Sequence, residues 1–136
     1  MLIYNIGQLL TVPELHENAF LQIENGKIAA IGLMSQSPSI EDQDIDAKEQ
    51  VVMPGFVDCH THLAHAGGIH GTFADRCNAV EVISNADLRD AIDTRLHLME
   101  QLGTTTVEIK TGYATSAAAI HKCLASIPKR PGVILT

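Results

Sequence analysis

The first 53 residues alternate between short apolar runs and polar turns, a pattern that is typical of β-strands. The apolar runs predict strands at 1–4, 9–12, 19–24 and 27–32. Asn25-Gly26 separates the last two runs and predicts a tight hairpin, because both turn residues need a positive φ. Residues 35–50 are polar and contain Pro38, so they predict a loop before the next apolar run at 51–53.

From residue 55 onward the pattern changes to strands that alternate with helices. The predicted strands span 56–62, 104–110 and 132–136, and the predicted helices span 84–102 and 116–127. Ser84 and Asp87 form a capping pattern at the start of the first helix, and Gly103 stands where a glycine commonly ends one. This alternation predicts an α/β fold with parallel strands joined by right-handed crossovers.

The composition narrows the classes of partner. The net charge is −7, and no lysine and arginine cluster marks a nucleic-acid surface, so we expect no nucleic-acid partner. No apolar run approaches the roughly 18 residues that a membrane span needs, so we expect no membrane partner. The three cysteines are odd in number and lack C-x-x-C spacing, which favours a reducing, cytoplasmic location.

The clearest chemical motif is the His-x-His pair formed by His60 and His62 at the end of the predicted strand 56–62. Side chains two positions apart on a strand point to the same side, so the two imidazoles project together. Imidazole is a common zinc ligand, and barrel enzymes place their active sites at the carboxyl ends of strands. A bare His-x-His also occurs as a simple polar strand end. The apolar strand before the pair and Gly67-Gly68 after it favour a metal site.

Two stretches carry a family resemblance. Residues 52–63, VMPGFVDCHTHL, resemble the first barrel strand of the amidohydrolase superfamily, and the hairpin turn at 24–28 resembles the small β-sandwich domain of those enzymes. Residues 103–113, GTTTVEIKTGY, resemble the second strand and loop of imidazolonepropionases, which hydrolyse an imidazolone ring in histidine breakdown. The resemblance covers nearly the whole chain but only the N-terminal portion of the family's length.

The resemblance implies a fold and an activity. Residues 54–136 would form about three βα units of a (β/α)8 barrel, and residues 1–53 would form a small β-sandwich segment before it. His60 and His62 would bind a divalent metal, zinc or iron, and Tyr113 would contact the substrate. The implied activity is metal-dependent hydrolysis of the C–N bond of a small cyclic amide.

Some positions depart from the family pattern. The family carries a substrate-binding arginine nine residues beyond the first motif histidine, where this chain has Ile69, and the nearest arginine here is Arg76. Ala114 follows the motif tyrosine where the family has glycine. These departures leave open another cyclic amide as the substrate, or an aminated ring in a deaminase-like relative.

Further polar residues near the motifs have alternative interpretations. His65 and His70 either add to the metal shell or lie in a solvated loop. Glu108 and Lys110 alternate onto one face of their strand together with Thr106. There they either orient one another at the barrel mouth, form a buried ion pair, or lie solvated at the strand end.

The length of 136 residues conflicts with a complete barrel, which takes about 250 residues. Three strands cannot close a barrel, and the family's remaining ligands lie on later strands. After Tyr113 the sequence has one histidine, His121, and no aspartate follows Asp93. We therefore expect the chain to be inactive alone, with an exposed sheet edge that favours a homo-oligomer. The alternative is a non-catalytic fragment or interaction module.

Overall fold

A computed structural model describes residues 1–66 and 71–135. The expectations for Gly67-Gly68, Ile69 and His70 fall outside the described residues. The described chain divides into two compact units, Met1–Pro54 and Gly55–Thr136. Strands of the first unit are β1 (Leu2–Leu10), β2 (Leu15–Glu24), β3 (Lys27–Leu33), β4 (Ile45–Asp46) and β5 (Val51–Val52). The second unit contains β6 (Phe56–Thr61), α1 (Phe73–Val82), α2 (Asn85–Gln101), β7 (Thr104–Ile109), α3 (Ala117–Ser126) and β8 (Val133–Leu135).

The first unit is a sheet in the order β3-β2-β1-β4, with β5 also pairing with β1. β2 pairs antiparallel with both β1 and β3, and the β2–β3 turn has Asn25 and Gly26 at φ of 51° and 72°. The predicted hairpin is therefore confirmed. Its core is formed by apolar side chains of β1 and β2, namely Ile6, Leu9, Ala19 and Leu21.

Two predictions for this unit are wrong in detail. β1 is one continuous strand, not two, because a register shift between Ile3 and Ile6 accommodates Asn5 at a φ of 51°. The predicted loop at 35–50 contains β4, which pairs in parallel with β1. The Asp44 carboxylate helps to fix this segment, since it accepts a hydrogen bond of 2.6 Å from the backbone N–H of Leu2. Backbone N–H groups of Glu41 and Leu2 lower the pKa of Asp44.

The second unit contains the predicted parallel sheet, in the order β6-β7-β8. Val107 and Ile109 on one face of β7 are buried, whereas Thr106 and Glu108 on the other face are partly exposed. Helices cover the buried face, since Val107 and Ile109 share a core with residues of α2 and α3, namely Leu88, Ile92, Leu96, Ala119 and Cys123.

Both predicted helices are confirmed together with their caps. The Ser84 hydroxyl accepts a hydrogen bond of 3.1 Å from the Asp87 N–H at the start of α2, and Gly103 follows the helix at a φ of 90°. Ser116 caps α3 in the same way, through a 3.0 Å hydrogen bond from the Ala119 N–H. In the described part of the chain, none of the helices combines the length and apolar character that crossing a bilayer requires.

Helix α1 was not predicted from the sequence. Its side chains are mostly exposed, and only Cys77 and Val80 are buried. Its start is fixed by a capping box in which Thr72 and Asp75 exchange side-chain and backbone hydrogen bonds of 2.7 and 3.2 Å. The hydrogen bonds from Thr72 also lower the pKa of the Asp75 carboxyl.

Candidate active site

The two motif histidines meet at the carboxyl end of β6. His60 and His62 have their Nε2 atoms 3.2 Å apart, and their rings are 5.0 Å apart between centroids. A zinc ion bound at about 2.0–2.1 Å in a tetrahedral site would hold two nitrogen ligands roughly 3.3 Å apart. The observed spacing therefore fits two ligands of one ion. Within the described residues, the other ring nitrogen of His62, Nδ1, is buried and makes no hydrogen bond.

Hydrogen bonds fix the backbone at His60 and at Thr61, the residue between the two histidines. The N–H of His60 donates a 3.1 Å hydrogen bond to the Asp58 carboxylate, and the Thr61 carbonyl accepts one of 2.9 Å from the N–H of Lys110. Asp58 thus contacts the backbone of the first histidine, and β7 contacts the residue between the two histidines.

Tyr113 lies beside His62 and contacts three other side chains of the site. Its ring centroid is 5.8 Å from that of His62 and 5.9 Å from those of His65 and Phe73. The Arg76 guanidinium donates a 3.0 Å hydrogen bond to the Tyr113 hydroxyl and lies 5.5 Å from the centre of the ring. The guanidinium therefore makes both a hydrogen bond and a cation–π contact with one tyrosine.

The loop before Tyr113 approaches the histidines closely. Gly112 has a φ of 34°, and a Cβ atom built on it would overlap the His62 imidazole. A residue without a side chain is therefore needed where this loop passes His62.

Arg76 and Phe73 are site residues that sequence patterns did not reveal. Both lie on α1, which was not predicted, and Arg76 is 37 positions from Tyr113 along the chain. The sequence marked Arg76 only as the nearest arginine after the motif, and this proximity was its single signal.

The other expected polar contacts are partly present. Glu108 and Lys110 form an ion pair of 2.5 Å with both side chains partly buried, so of the interpretations left open the structure shows the ion pair. His65 contacts the ring of Tyr113, and its part in a metal shell stays a prediction. Across residues 1–66 and 71–135, three or more metal-binding side chains do not cluster anywhere.

Comparison with solved structures defines the class of fold. An amidohydrolase crystal structure matches 99% of this chain and 30% of its own length, with a TM-score of 0.68 and 22% sequence identity. A mutant atrazine chlorohydrolase from Arthrobacter aurescens, complexed with zinc and atraton, matches 92% of this chain and 32% of its own length, with a TM-score of 0.64 and 20% identity. The chain therefore has a mixed α/β fold of the kind found in amidohydrolase structures.

Comparison with curated proteins narrows the resemblance. The imidazolonepropionase of Christiangramia forsetii is 36% identical over 164 aligned positions, which cover 95% of this chain and 40% of the relative. The chain spans between about a third and two fifths of the length of the curated relatives it matches. No protein-family model matches the chain. The resemblance to amidohydrolases, and among them to imidazolonepropionases, is thus confirmed.

Proposed function

We propose that this chain carries the two-histidine part of the metal centre of an imidazolonepropionase-like hydrolase, which cleaves the C–N bond of a cyclic amide. The convergence of His60 and His62 at 3.2 Å, with Tyr113 alongside, is the observation that supports this best. In this proposal residues 1–53 belong to a small β-sandwich domain, and residues 54–136 form the first strands and helices of a barrel.

His60 and His62 would hold a zinc or iron ion through their Nε2 atoms. When bound, the ion supplies Lewis acidity to the scissile carbonyl of the substrate. A catalytic zinc site commonly uses three protein ligands, whereas the described residues bring together two imidazoles and no larger group of donors. We therefore expect the chain to bind metal but to have no hydrolase activity by itself.

Tyr113 would bind the substrate through its hydroxyl group. Its oxygen accepts a hydrogen bond from Arg76, so the phenolic proton is left to point elsewhere, toward an oxygen of the ring substrate. The Tyr113 ring is next to the imidazole of His62, so this hydroxyl donor belongs to a residue beside the proposed metal ligands. Tyr113 would thus orient a cyclic amide next to the metal.

Metal titration tests the first part of this proposal. Calorimetry with zinc or ferrous ion should detect one ion per chain, and His60→Ala or His62→Ala should weaken binding at least tenfold. His121→Ala is the matched control, because His121 is exposed on α3 and should leave the affinity unchanged. A wild-type chain that binds no metal would overturn the proposed metal centre and would favour the non-catalytic alternative.

Turnover assays test the second part. The wild-type chain with added zinc or ferrous ion should show no hydrolysis of imidazolonepropionate. Hydrolysis that disappears in His60→Ala would contradict the expected inactivity and support the full activity in this chain. Ammonia released from an aminated ring would instead support the deaminase alternative.

A further inference from the structure

The segment that follows the histidine pair is buried although it has no regular secondary structure. The side chains of Leu63, Ala64 and Ala66 lie in the core of the second unit. Backbone carbonyls in such a segment need hydrogen-bond partners, because the adjacent strand ladder does not supply them. The N–H of His65 donates a 3.0 Å hydrogen bond to the Leu63 carbonyl, and residues on two helices provide the other partners.

Arg95 on α2 is the principal partner. Its Nη1 donates hydrogen bonds of 2.8 Å to the carbonyl of Leu63 and 2.9 Å to the carbonyl of His65. Cys123 on α3 completes the set, because its Sγ lies 3.8 Å from the carbonyl of Ala64 between them. The carbonyls of Leu63, Ala64 and His65 therefore all accept hydrogen bonds from side chains of α2 and α3.

Burial of one face of α2 in the core fixes the position of Arg95. Leu88, Ile92 and Leu96 of the same helix are fully buried in the core. Burial lowers the pKa of the Arg95 guanidinium, but arginine remains charged at neutral pH and so keeps all of its donors. Hydrogen bonds from a charged donor are stronger than those between neutral groups.

We propose that Arg95 is a positioning residue for the site, which holds the backbone directly after His62 and so sets the orientation of the His62 and His65 rings against Tyr113. The link is short, since His62 immediately precedes the Leu63 carbonyl and the His65 carbonyl is itself held. Both rings contact one tyrosine, with centroids 5.8 and 5.9 Å from that of Tyr113 and ring planes inclined by 58° and 76°. A shift of the segment would therefore move both imidazoles. This role rests on the proposed function.

Zinc affinity of the full chain is the first measurement. Arg95→Gln should weaken zinc binding about 10- to 100-fold, the range usual for residues that orient metal ligands. Arg95→Lys should recover part of the loss, because an ammonium group restores the charge and three N–H donors on a shorter side chain. Arg89→Gln is the matched control on the same helix, since Arg89 is exposed, and it should bind zinc as the wild type does.

The second measurement needs no metal. Proton NMR should show a nuclear Overhauser effect between the rings of His62 and Tyr113 in the metal-free wild type. Tyr4 is the only other tyrosine in the sequence, so Tyr4→Phe assigns the Tyr113 signals. Arg95→Gln should lose this effect while circular dichroism shows that the helices persist. Where Arg95→Gln fails to fold, Arg95→Lys takes its place, with a weakened effect expected.

The two measurements together decide the proposal. Loss of both zinc affinity and the ring contact supports it. An intact ring contact, or zinc affinity within twofold of the wild type, overturns it and leaves Arg95 with a purely structural role. If the wild type binds no zinc, the proposed metal centre fails, and the ring contact alone then decides the role of Arg95.

Discussion

Gly112 lies directly against the imidazole of His62, with no room for a Cβ atom between the loop backbone and Nδ1. Its φ of 34° also lies in the left-handed region, which side chains disfavour. The loop that carries Tyr113 can therefore pass this close to His62 only because residue 112 is a glycine.

Gly112→Ala should lower the free energy of unfolding by about 1–3 kcal/mol in urea titration, because the new methyl group adds overlap to backbone strain. The same change should weaken zinc binding by displacing His62. Gly26→Ala is the control, since Gly26 also has a positive φ but has open space around its Cβ position. Equal losses in the two variants would show that strain, and not contact with His62, causes the effect.

The Arg76–Tyr113 contact predicts a measurable coupling energy. Tyr113→Phe removes the hydroxyl that accepts the hydrogen bond but keeps the ring, and Arg76→Met removes the guanidinium. A double-mutant cycle should give a coupling of about 1–3 kcal/mol, as for a hydrogen bond to a charged group. Pairing Tyr113→Phe with Arg89→Met should give additive losses, because the structure shows no hydrogen bond between those residues within the described chain. A coupling near zero in the Arg76 cycle would contradict the contact.

Lys122 completes the end of α1 from another helix. Its ammonium group donates hydrogen bonds of 3.1, 2.9 and 3.0 Å to the carbonyls of Val80, Glu81 and Ile83. Lys122→Met should lower the free energy of unfolding by about 2 kcal/mol and reduce helical circular dichroism, because those carbonyls lose a charged partner. Lys129→Met changes an exposed lysine and should have little effect. Similar stability of the two variants would argue against the capping role.

Cys123 predicts a loss of stability at alkaline pH. Burial raises the pKa of its thiol above the ordinary value of 9.0, so the folded state holds this proton more tightly than the unfolded state does. The resulting stability is complete below the unfolded pKa and is lost as the pH rises through the folded pKa. Urea unfolding between about pH 8 and pH 10 should therefore show a smaller alkaline loss for Cys123→Ala than for the wild type.

Cys59→Ala is the control for this titration, because Cys59 is exposed. It should follow the wild-type pH dependence. A Cys123→Ala chain that loses stability with the same slope as the wild type would assign the alkaline loss to other groups.

The fold was predictable wherever neighbouring residues determine the structure. Ser84 and Gly103 bound α2 through contacts within one turn of the helix, and Asn25-Gly26 sets its hairpin through its own backbone angles. Helix α1 has a local start signal in its Thr72–Asp75 capping box but lacks the apolar periodicity that predicts α2. It buries few apolar side chains, and Lys122 stabilises its end from about 40 positions away in the sequence.

The candidate active site divides in the same way into contacts between near neighbours in the sequence and contacts between distant residues. Strand alternation brings His60 and His62 together within three residues, so their convergence was predictable. Arg76 and Arg95 reach the site only because helices fold against the sheet, over separations of about 30 to 37 positions. No local periodicity encodes such contacts, and only the packed structure reveals them.

The hydrogen bond between the Lys110 N–H and the Thr61 carbonyl has a consequence for ligand entry. It ties the backbone between the two imidazoles to the residue that follows β7, so the backbone positions from which both rings project are fixed by this contact. A ligand that binds both rings therefore meets two donors whose backbone positions were fixed when the chain folded. A change that breaks the pairing of β7 with β6 would therefore weaken ligand binding at His60 and His62, even though both imidazoles would still be present.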